Sequence, residues 1–260
     1  MGTTTGAESD GAGSDGARVD ALLAEMTLDE QAALTAGVDL WHGPGVERLG
    51  VQPLKATDGP GGARGERWTG RPVACFPCGS SLGATWDSDL VRAVGERLGI
   101  EARRRQADVL LAPTVNLHRH PLAGRNFECP SEDPYLAGRY AAAYVEGVQS
   151  VGVACAIKHF TANDSEFERM TISSEVDERT LRETSLVPFE AAVREAGVWA
   201  LMAAYNRVNG TYCSEHAALL AILRDEWGFD GVVVSDWFGT HSTVAAADAG
   251  LDWEMPGPAQ

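Results

Sequence analysis

The chain has 260 residues, of which 44% are hydrophobic and 22% charged, and its formal net charge is −16. This is the composition of a globular protein, and the length suits one large domain. The negative charge argues against nucleic acid and against an anionic membrane surface, because both select clustered lysine and arginine. No run of 18 or more apolar residues occurs, so we expect no transmembrane helix.

The N-terminal residues 1–17 are rich in Gly, Ser, Asp and Thr and have nothing to bury, so we expect a disordered tail. They lack the basic and apolar regions of a signal peptide. Five cysteines, an odd number, fit reduced thiols, and we expect a cytoplasmic protein. Cys75 and Cys78 form a Cys-x-x-Cys motif, but no second motif or zinc-spaced His pair accompanies it, and Pro77 and Gly79 indicate a loop.

Short apolar runs then alternate with helical patterns. Thr27 and Glu30 form a capping box that predicts a helix restarting within residues 20–36. Further helices are predicted at 87–106, 134–149, 178–195, 215–227 and from 241 onward. Strands are predicted at 54–58, 108–116, 152–160, 198–205, 232–236 and 251–257. This alternation predicts an α/β fold, a (β/α)8 TIM-type barrel without its last helix. No Gly-x-Gly-x-x-Gly follows the first strand, which disfavours a dinucleotide-binding sheet.

Polar side chains end almost every predicted strand. They are Asp58, Asn116 followed by Arg125, Lys158 with His159, Tyr205 with Asn206 and Arg207, and Asp236. In a barrel these strand ends share the face that holds the active site.

The polar groups at these strand ends suit a polyhydroxylated ligand, because they offer both hydrogen-bond donors and an acceptor. Tyr205, Trp237 and Trp68 are candidates to stack on the C–H faces of a sugar. With the other polar groups assigned to ligand binding, Asp236 is the carboxylate that remains to act as a nucleophile or to stabilise positive charge.

Six longer motifs follow one another in the chain. They are DGPGGAR (58–64), FPCGSSLGATWD (76–87), GRNFECPSEDPYLAG (124–138), IKHF (157–160), MAAYNRVNG (202–210) and GFDGVVVSDW (228–237). Together they resemble glycoside hydrolase family 3, in its β-glucosidase branch, over residues 18–260. The resemblance implies a barrel domain that hydrolyses terminal β-D-glucosides or oligosaccharides with retention, without cofactor or metal.

The resemblance also implies a role for each matching residue. Asp236 corresponds to the catalytic nucleophile that forms a glycosyl-enzyme. Glu128 and Glu132 are expected to hold Arg125 and its loop. Asp236 is expected to remain ionised beside Lys158, Arg125 or His159. The implied substrate-binding residues are Asp58, Arg125, Lys158, His159, Met202, Tyr205 and Trp237.

A retaining enzyme needs a second carboxyl group, about 5–5.5 Å from the first, as acid and then base. One branch of the family carries the pattern Lys-His-Phe-Pro-Gly-His-Gly-Asp, whereas this chain has KHFTANDSEFERM, in which Asp164 and Glu166 are weak substitutes. In the glucosidase branch the acid/base glutamate comes from a C-terminal sandwich domain, and this chain ends at Gln260. We therefore expect that domain and its glutamate outside the chain.

A missing last helix would leave the outer faces of the first and last strands bare. We therefore expect the chain to bind its own C-terminal part or a second copy of itself. The sequence leaves open whether it is a fragment, a split subunit or a degenerate relative.

Two other functions stay open. Asp58, Glu128 and Asp236 could hold Mg²⁺, although Lys158 and Arg125 already neutralise carboxylates there. Alternatively, the chain is a catalytically incomplete sugar-binding or assembly barrel.

Overall fold

The structure is a computed structural model that describes residues 10–65 and 72–258. Its strands are β1 (Ala56–Asp58), β2 (Val109–Leu111), β3 (Ala154–Phe160), β4 (Ser173–Ser174), β5 (Ala200–Ala203), β6 (Arg207–Val208), β7 (Thr211–Tyr212) and β8 (Val232–Val234). A parallel sheet has the order β1-β2-β3-β5-β8. The loop strands β4, β6 and β7 form a second, small sheet.

The helices cover the parallel sheet from outside. They are α1 (Asp10–Glu25), α2 (Leu28–Leu34), α3 (Gly79–Gly83), α4 (Ser88–Arg104), α5 (Pro134–Gln149), α6 (Glu178–Thr180), α7 (Val187–Arg194), α8 (Ala217–Ala221) and α9 (Val244–Ala249). Thr27 caps α2 in the predicted capping box, and Asp87 caps α4. The helix predicted at 134–149 has the bounds observed for α5, where Asp133 caps the first turn and Pro134 occupies it.

Alternate residues of the strands enter two different apolar clusters, as the period of two requires. Leu110, Ile157, Leu201 and Val233 belong to the cluster that packs against the helices. Ala56, Val109, Ala156, Ala200 and Val234 belong to the cluster inside the barrel. Two residues further along three of these strands, the interior face carries charged side chains: Asp58, Lys158 and Asp236. The site is therefore the continuation of the barrel interior.

Short backbone pairings continue the sheet from β8 back to β1. Trp253 pairs with β8, Glu254 pairs with Ala36, and the amide of Ala56 donates to the carbonyl of Trp41 at 2.8 Å. The fold is the predicted α/β barrel type, but the strand predicted at 251–257 is reduced to these isolated bridges.

Helix α1 begins at Asp10 and overlaps the N-terminal segment that composition predicted to be a disordered tail; residues 1–9 lie outside the described residues. Two predicted helices need correction. The helices predicted at 178–195 and 215–227 are interrupted by π-helical segments at Leu181–Ser185 and Ile222–Glu226.

The outer faces of the first and last parallel strands had been expected to be bare, but they are covered. Thr57 of β1 is 1% exposed and Val233 of β8 is fully buried. Exposed apolar side chains lie instead on α1 and α2, where Val19, Leu23 and Leu28 are 44–78% exposed. The outer faces of these two strands are therefore covered, and further exposed apolar side chains lie in loops, among them Leu40, Leu122 and Phe167.

Two further predictions concern reduced cysteines and transmembrane helices. All five cysteines are free thiols; Cys75 is exposed in the predicted loop, and Cys78 precedes α3. Within residues 10–65 and 72–258, no helix combines the length and apolarity needed to cross a membrane.

Candidate active site

A cavity of about 350 Å³ opens at the carboxyl ends of the parallel strands. It contains all eight residues that the sequence marked as catalytic or substrate-binding: Asp58, Arg125, Lys158, His159, Met202, Tyr205, Asp236 and Trp237. Their juxtaposition follows from the fold, because parallel strands deliver their last residues to one face. Their roles in a reaction stay predictions.

Asp58 and Lys158 form an ion pair at the base of the cavity. Lys158 Nζ donates to Asp58 Oδ1 at 2.7 Å, and Arg64 binds the other oxygen of this carboxylate. The Lys158 side chain is only 5% exposed, and burial together with the neighbouring Arg125 lowers its pKa to about 7. The negative charges of Glu128 and Asp236 offset this lowering of the Lys158 pKa only in part.

Glu128 holds Arg125, as the sequence suggested. Glu128 Oε2 accepts from Arg125 Nη2 at 2.8 Å and from the Thr114 hydroxyl at 3.1 Å. Burial acts to raise the pKa of Glu128, but Arg125 outweighs it and the pKa lies below its usual value. The similar role expected of Glu132 has less support, since that residue is exposed.

His159 is enclosed by polar groups from three other segments. Its backbone amide and its Nδ1 each lie 3.0 Å from Asn116 Oδ1. Its Nε2 lies 3.3 Å from Arg125 Nη1 and 3.6 Å from Asp236 Oδ2. Burial, and then Arg125 and Lys158, hold the pKa of His159 well below its usual range. Of the three groups expected to keep Asp236 ionised, Lys158 and Arg125 act to lower its pKa, whereas a neutral His159 adds no positive charge.

Asp236 is nearly buried, and its two oxygens differ. Oδ1 accepts from the backbone amide of Trp237 at 2.7 Å, whereas buried Oδ2 has no hydrogen-bond partner among the described residues. Burial raises the pKa of Asp236 above its usual value, while Lys158, the Trp237 amide and Arg125 oppose the rise. The Tyr205 hydroxyl is close enough to influence this carboxyl, but it donates its proton to the Trp237 carbonyl at 2.8 Å.

Two tryptophans form an apolar wall of the cavity. The ring centroids of Trp41 and Trp237 are 5.5 Å apart, at an interplanar angle of 44°. Trp237 Nε1 donates to the carbonyl of Leu40 at 2.8 Å, which fixes its indole against the segment that carries Trp41. Met202 lies in the interior cluster beneath this wall.

Sequence reasoning missed three charged or aromatic residues that line the cavity, and these are Trp41, Arg64 and Arg169. Arg64 ends the DGPGGAR motif and could have been found there. Trp41 and Arg169 lie in loops without periodicity, and only tertiary contacts bring them to the cavity; Arg169 stacks over the Tyr205 ring at 4.7 Å. Trp68, a predicted stacking residue, lies outside the described residues.

The two carboxyls considered as substitute acids lie beside the cavity. Burial raises the pKa of Asp164 to about 6, but its Oδ1 accepts from the Leu117 amide at 3.3 Å in a separate small pocket. Glu166 accepts from Arg169 at 2.7 Å and lies 3.8 Å from Arg125. Across residues 10–65 and 72–258, no group of three or more His, Cys, Asp or Glu side chains is placed to hold a metal ion.

The sequence profile described as "Glycosyl hydrolase family 3 N terminal domain" matches residues 46–255. The chain belongs to glycoside hydrolase family 3. A β-glucosidase from Rhizobium radiobacter is 59% identical over 243 residues, which are 92% of this chain and 30% of that protein.

Solved structures of the family give the same result for the fold. The β-glucosidase of Kluyveromyces marxianus in complex with glucose has a TM-score of 0.92 at 47% identity, over 93% of this chain and 29% of that one. The β-glucosidase 3B of Thermotoga neapolitana in complex with glucose has a TM-score of 0.89 at 42% identity, over 92% and 36%. The chain therefore spans about a third of the length of these relatives.

Proposed function

We propose that this chain is the nucleophile-bearing barrel of a retaining β-glucosidase. The observation that carries the proposal is Asp236 Oδ2, a buried carboxylate oxygen without a hydrogen-bond partner in the described part of the chain, at a cavity of about 350 Å³. A buried polar atom left unpaired in this way is unusual outside functional sites. The other oxygen is fixed by a backbone amide, so the free one has a defined direction.

The lining of the cavity supports a hexose as the ligand. Asp58 and Glu128 offer acceptors, Arg125 and Lys158 offer donors, and the Trp41–Trp237 wall offers an apolar face. Alternating donors, acceptors and one aromatic wall match the hydroxyls and C–H faces of a pyranose. The relatives named above are β-glucosidases, and two of their structures hold glucose, which favours a β-D-glucoside.

In the proposed reaction Asp236 Oδ2 attacks the anomeric carbon and forms a C–O bond. The bond to the leaving oxygen breaks, and that oxygen keeps the electron pair and takes a proton from a general acid. Water then attacks the same carbon, loses a proton to the conjugate base and releases Asp236. Lys158 and Arg125 stabilise the ionised Asp236 at the start and the end of this cycle.

We propose that the general acid lies outside these 260 residues. A general acid needs a raised pKa and hydrogen-bond reach to the leaving oxygen. Among the described carboxyls that line the cavity, Asp58 is bound by two cations and the pKa of Glu128 is lowered by Arg125. Asp164 has a raised pKa but lies in another pocket. The partner that supplies the acid is therefore the remainder of a longer protein, in keeping with the length of the relatives.

An activated substrate separates the two carboxylate roles. A 2,4-dinitrophenyl 2-deoxy-2-fluoro-β-glucoside has a leaving group that departs without a proton, so the 260-residue chain should form a stable adduct without the acid. Mass spectrometry of peptides should find the fluoroglucosyl group on Asp236. Unactivated alkyl β-glucosides should be hydrolysed only by the natural protein that contains this chain.

Asp236→Asn is the matched variant, since it keeps the size and removes the nucleophile. It should give no adduct with the chain and no hydrolysis with the longer protein. Label on a different carboxyl, or alkyl glucoside hydrolysis by the 260 residues alone at the rate of the longer protein, would overturn the proposal. Binding of glucose without any adduct would favour the sugar-binding barrel instead.

A further inference from the structure

The amide of Asn116 has one possible orientation. Its Nδ2 donates to the carbonyl oxygen of His159 at 2.9 Å, and its Oδ1 accepts from the backbone amide of His159 at 3.0 Å. A backbone carbonyl only accepts and a backbone N–H only donates, so exchanging the nitrogen and oxygen of Asn116 would break both bonds. Asn116 is 4% exposed, so loss of these two bonds would leave buried polar groups unpaired.

This orientation decides where the imidazole of His159 carries its proton. Asn116 Oδ1 lies 3.0 Å from His159 Nδ1 and is an acceptor, so Nδ1 must be the protonated nitrogen. In the neutral ring Nε2 then keeps its lone pair. Arg125 Nη1, which can only donate, lies 3.3 Å from Nε2 and fits a lone pair at that place.

The charged groups around His159 oppose a second proton on Nε2. A proton on Nε2 would place two hydrogen-bond donors, Nε2–H and Arg125 Nη1–H, against each other. Lys158 and Arg169 add positive charge nearby. The carboxylate of Asp236, 3.6 Å from Nε2, acts in the opposite direction and favours the imidazolium. Burial and the positive charges of Arg125, Lys158 and Arg169 together hold the pKa of His159 well below its usual range.

We propose that Asn116 is a positioning residue that fixes His159 as the neutral tautomer with its proton on Nδ1 and presents the Nε2 lone pair to the cavity. His159 then accepts a hydrogen bond from Arg125 or from a ligand hydroxyl and donates none into the cavity. The sugar-binding consequence rests on the proposed function, whereas the tautomer does not. Asp236 receives no positive charge from His159, so Lys158 and Arg125 are its cationic neighbours.

The test is the 15N spectrum of the chain labelled with 15N-histidine. Long-range 1H–15N correlations distinguish a protonated ring nitrogen from an unprotonated one. For His159 we expect a protonated Nδ1 and an unprotonated Nε2 near neutral pH, because burial and the neighbouring cations hold its pKa well below its usual range. A proton on Nε2 in the unliganded protein, alone or in an imidazolium, would overturn the proposal.

Asn116→Asp tests the cause. The new carboxylate still accepts from Nδ1–H but adds a negative charge, so His159 should take up a second proton as the pH falls from about 8 to 5. Asn209→Asp is the matched control, because the Asn209 side chain also bonds the N–H and C=O of one residue, Val176, at 2.9 Å, and its described hydrogen bonds include none to a histidine. The control should leave the His159 signals unchanged.

Kinetics of the longer protein separate this inference from the proposed function. Asn116→Asp should move the acid limb of the pH profile of kcat/KM, and Asn209→Asp should not. If the wild-type spectrum is as expected but no β-glucoside is hydrolysed, the proposed function fails and the tautomer stands. An Asn116→Asp variant whose His159 signals and pH profile both match those of the control would refute the positioning role of Asn116.

Discussion

The ion pair between Asp58 and Lys158 gives a quantitative prediction. Asp58→Asn keeps the size of the side chain but leaves the Lys158 ammonium, 5% exposed, without its carboxylate partner. At a separation of 2.7 Å and an effective dielectric constant of about 20, the attraction amounts to roughly 6 kcal/mol. Desolvation removes part of this, and breaking a buried pair by removing one partner costs about 3–5 kcal/mol.

We expect Asp58→Asn to lower the free energy of unfolding by about 1–2 kcal/mol near pH 6, less than this range, because Lys158 with its pKa of about 7 can lose its proton instead of remaining charged and unpaired. The pKa of Lys158 is lowered to about 7, so the lysine is charged below that pH and neutral above it. The loss should accordingly shrink near about pH 8, where the pair is already weakened in the unmodified chain. Urea denaturation at both pH values measures the two free energies.

A double-mutant cycle isolates the pair from other effects of the substitution. Lys158→Met and the double variant Asp58→Asn/Lys158→Met complete the cycle, and the double variant should recover part of the loss because no unpaired buried charge remains. A loss below about 1 kcal/mol near pH 6, or strictly additive effects, would refute the reasoning.

Three further predictions concern activity and stability. In the longer protein, kcat/KM should fall at low pH as Asp236 becomes protonated, and burial raises the pKa of this group above its usual value. It should fall again as the pH rises through about 7 and Lys158 loses its proton. Glu128→Gln should raise KM more than it lowers kcat, because Arg125 loses a 2.8 Å charged partner while Asp236 is untouched; an unchanged KM would contradict this. Phe160→Ala should destabilise the chain by about 3–5 kcal/mol in urea denaturation, because this fully buried ring leaves a cavity, and a loss under about 1 kcal/mol would contradict it.

The sequence predicted the order of the elements and much of the site, because both depend on local patterns. Thr27 caps its helix as predicted, and the helix predicted from residue 87 is capped by Asp87, since capping needs only neighbours in the chain. Strand ends were readable as the places where apolar runs meet Asp58 and Asp236. The parallel arrangement then brings such residues together whatever the details of packing.

Tertiary structure alone decided the chemical state of these residues. Asp58 and Lys158 are 100 positions apart and meet only in the folded chain, where burial and the neighbouring Arg125 lower the pKa of the lysine. Trp41 enters the cavity wall from a loop that carries no periodic signal. The proton of His159 and the free oxygen of Asp236 likewise depend on which groups surround them. The type of each residue and the order of the elements can be read from the chain itself. The charge of a side chain, the position of its proton and the presence of hydrogen-bond partners depend on the residues packed around it.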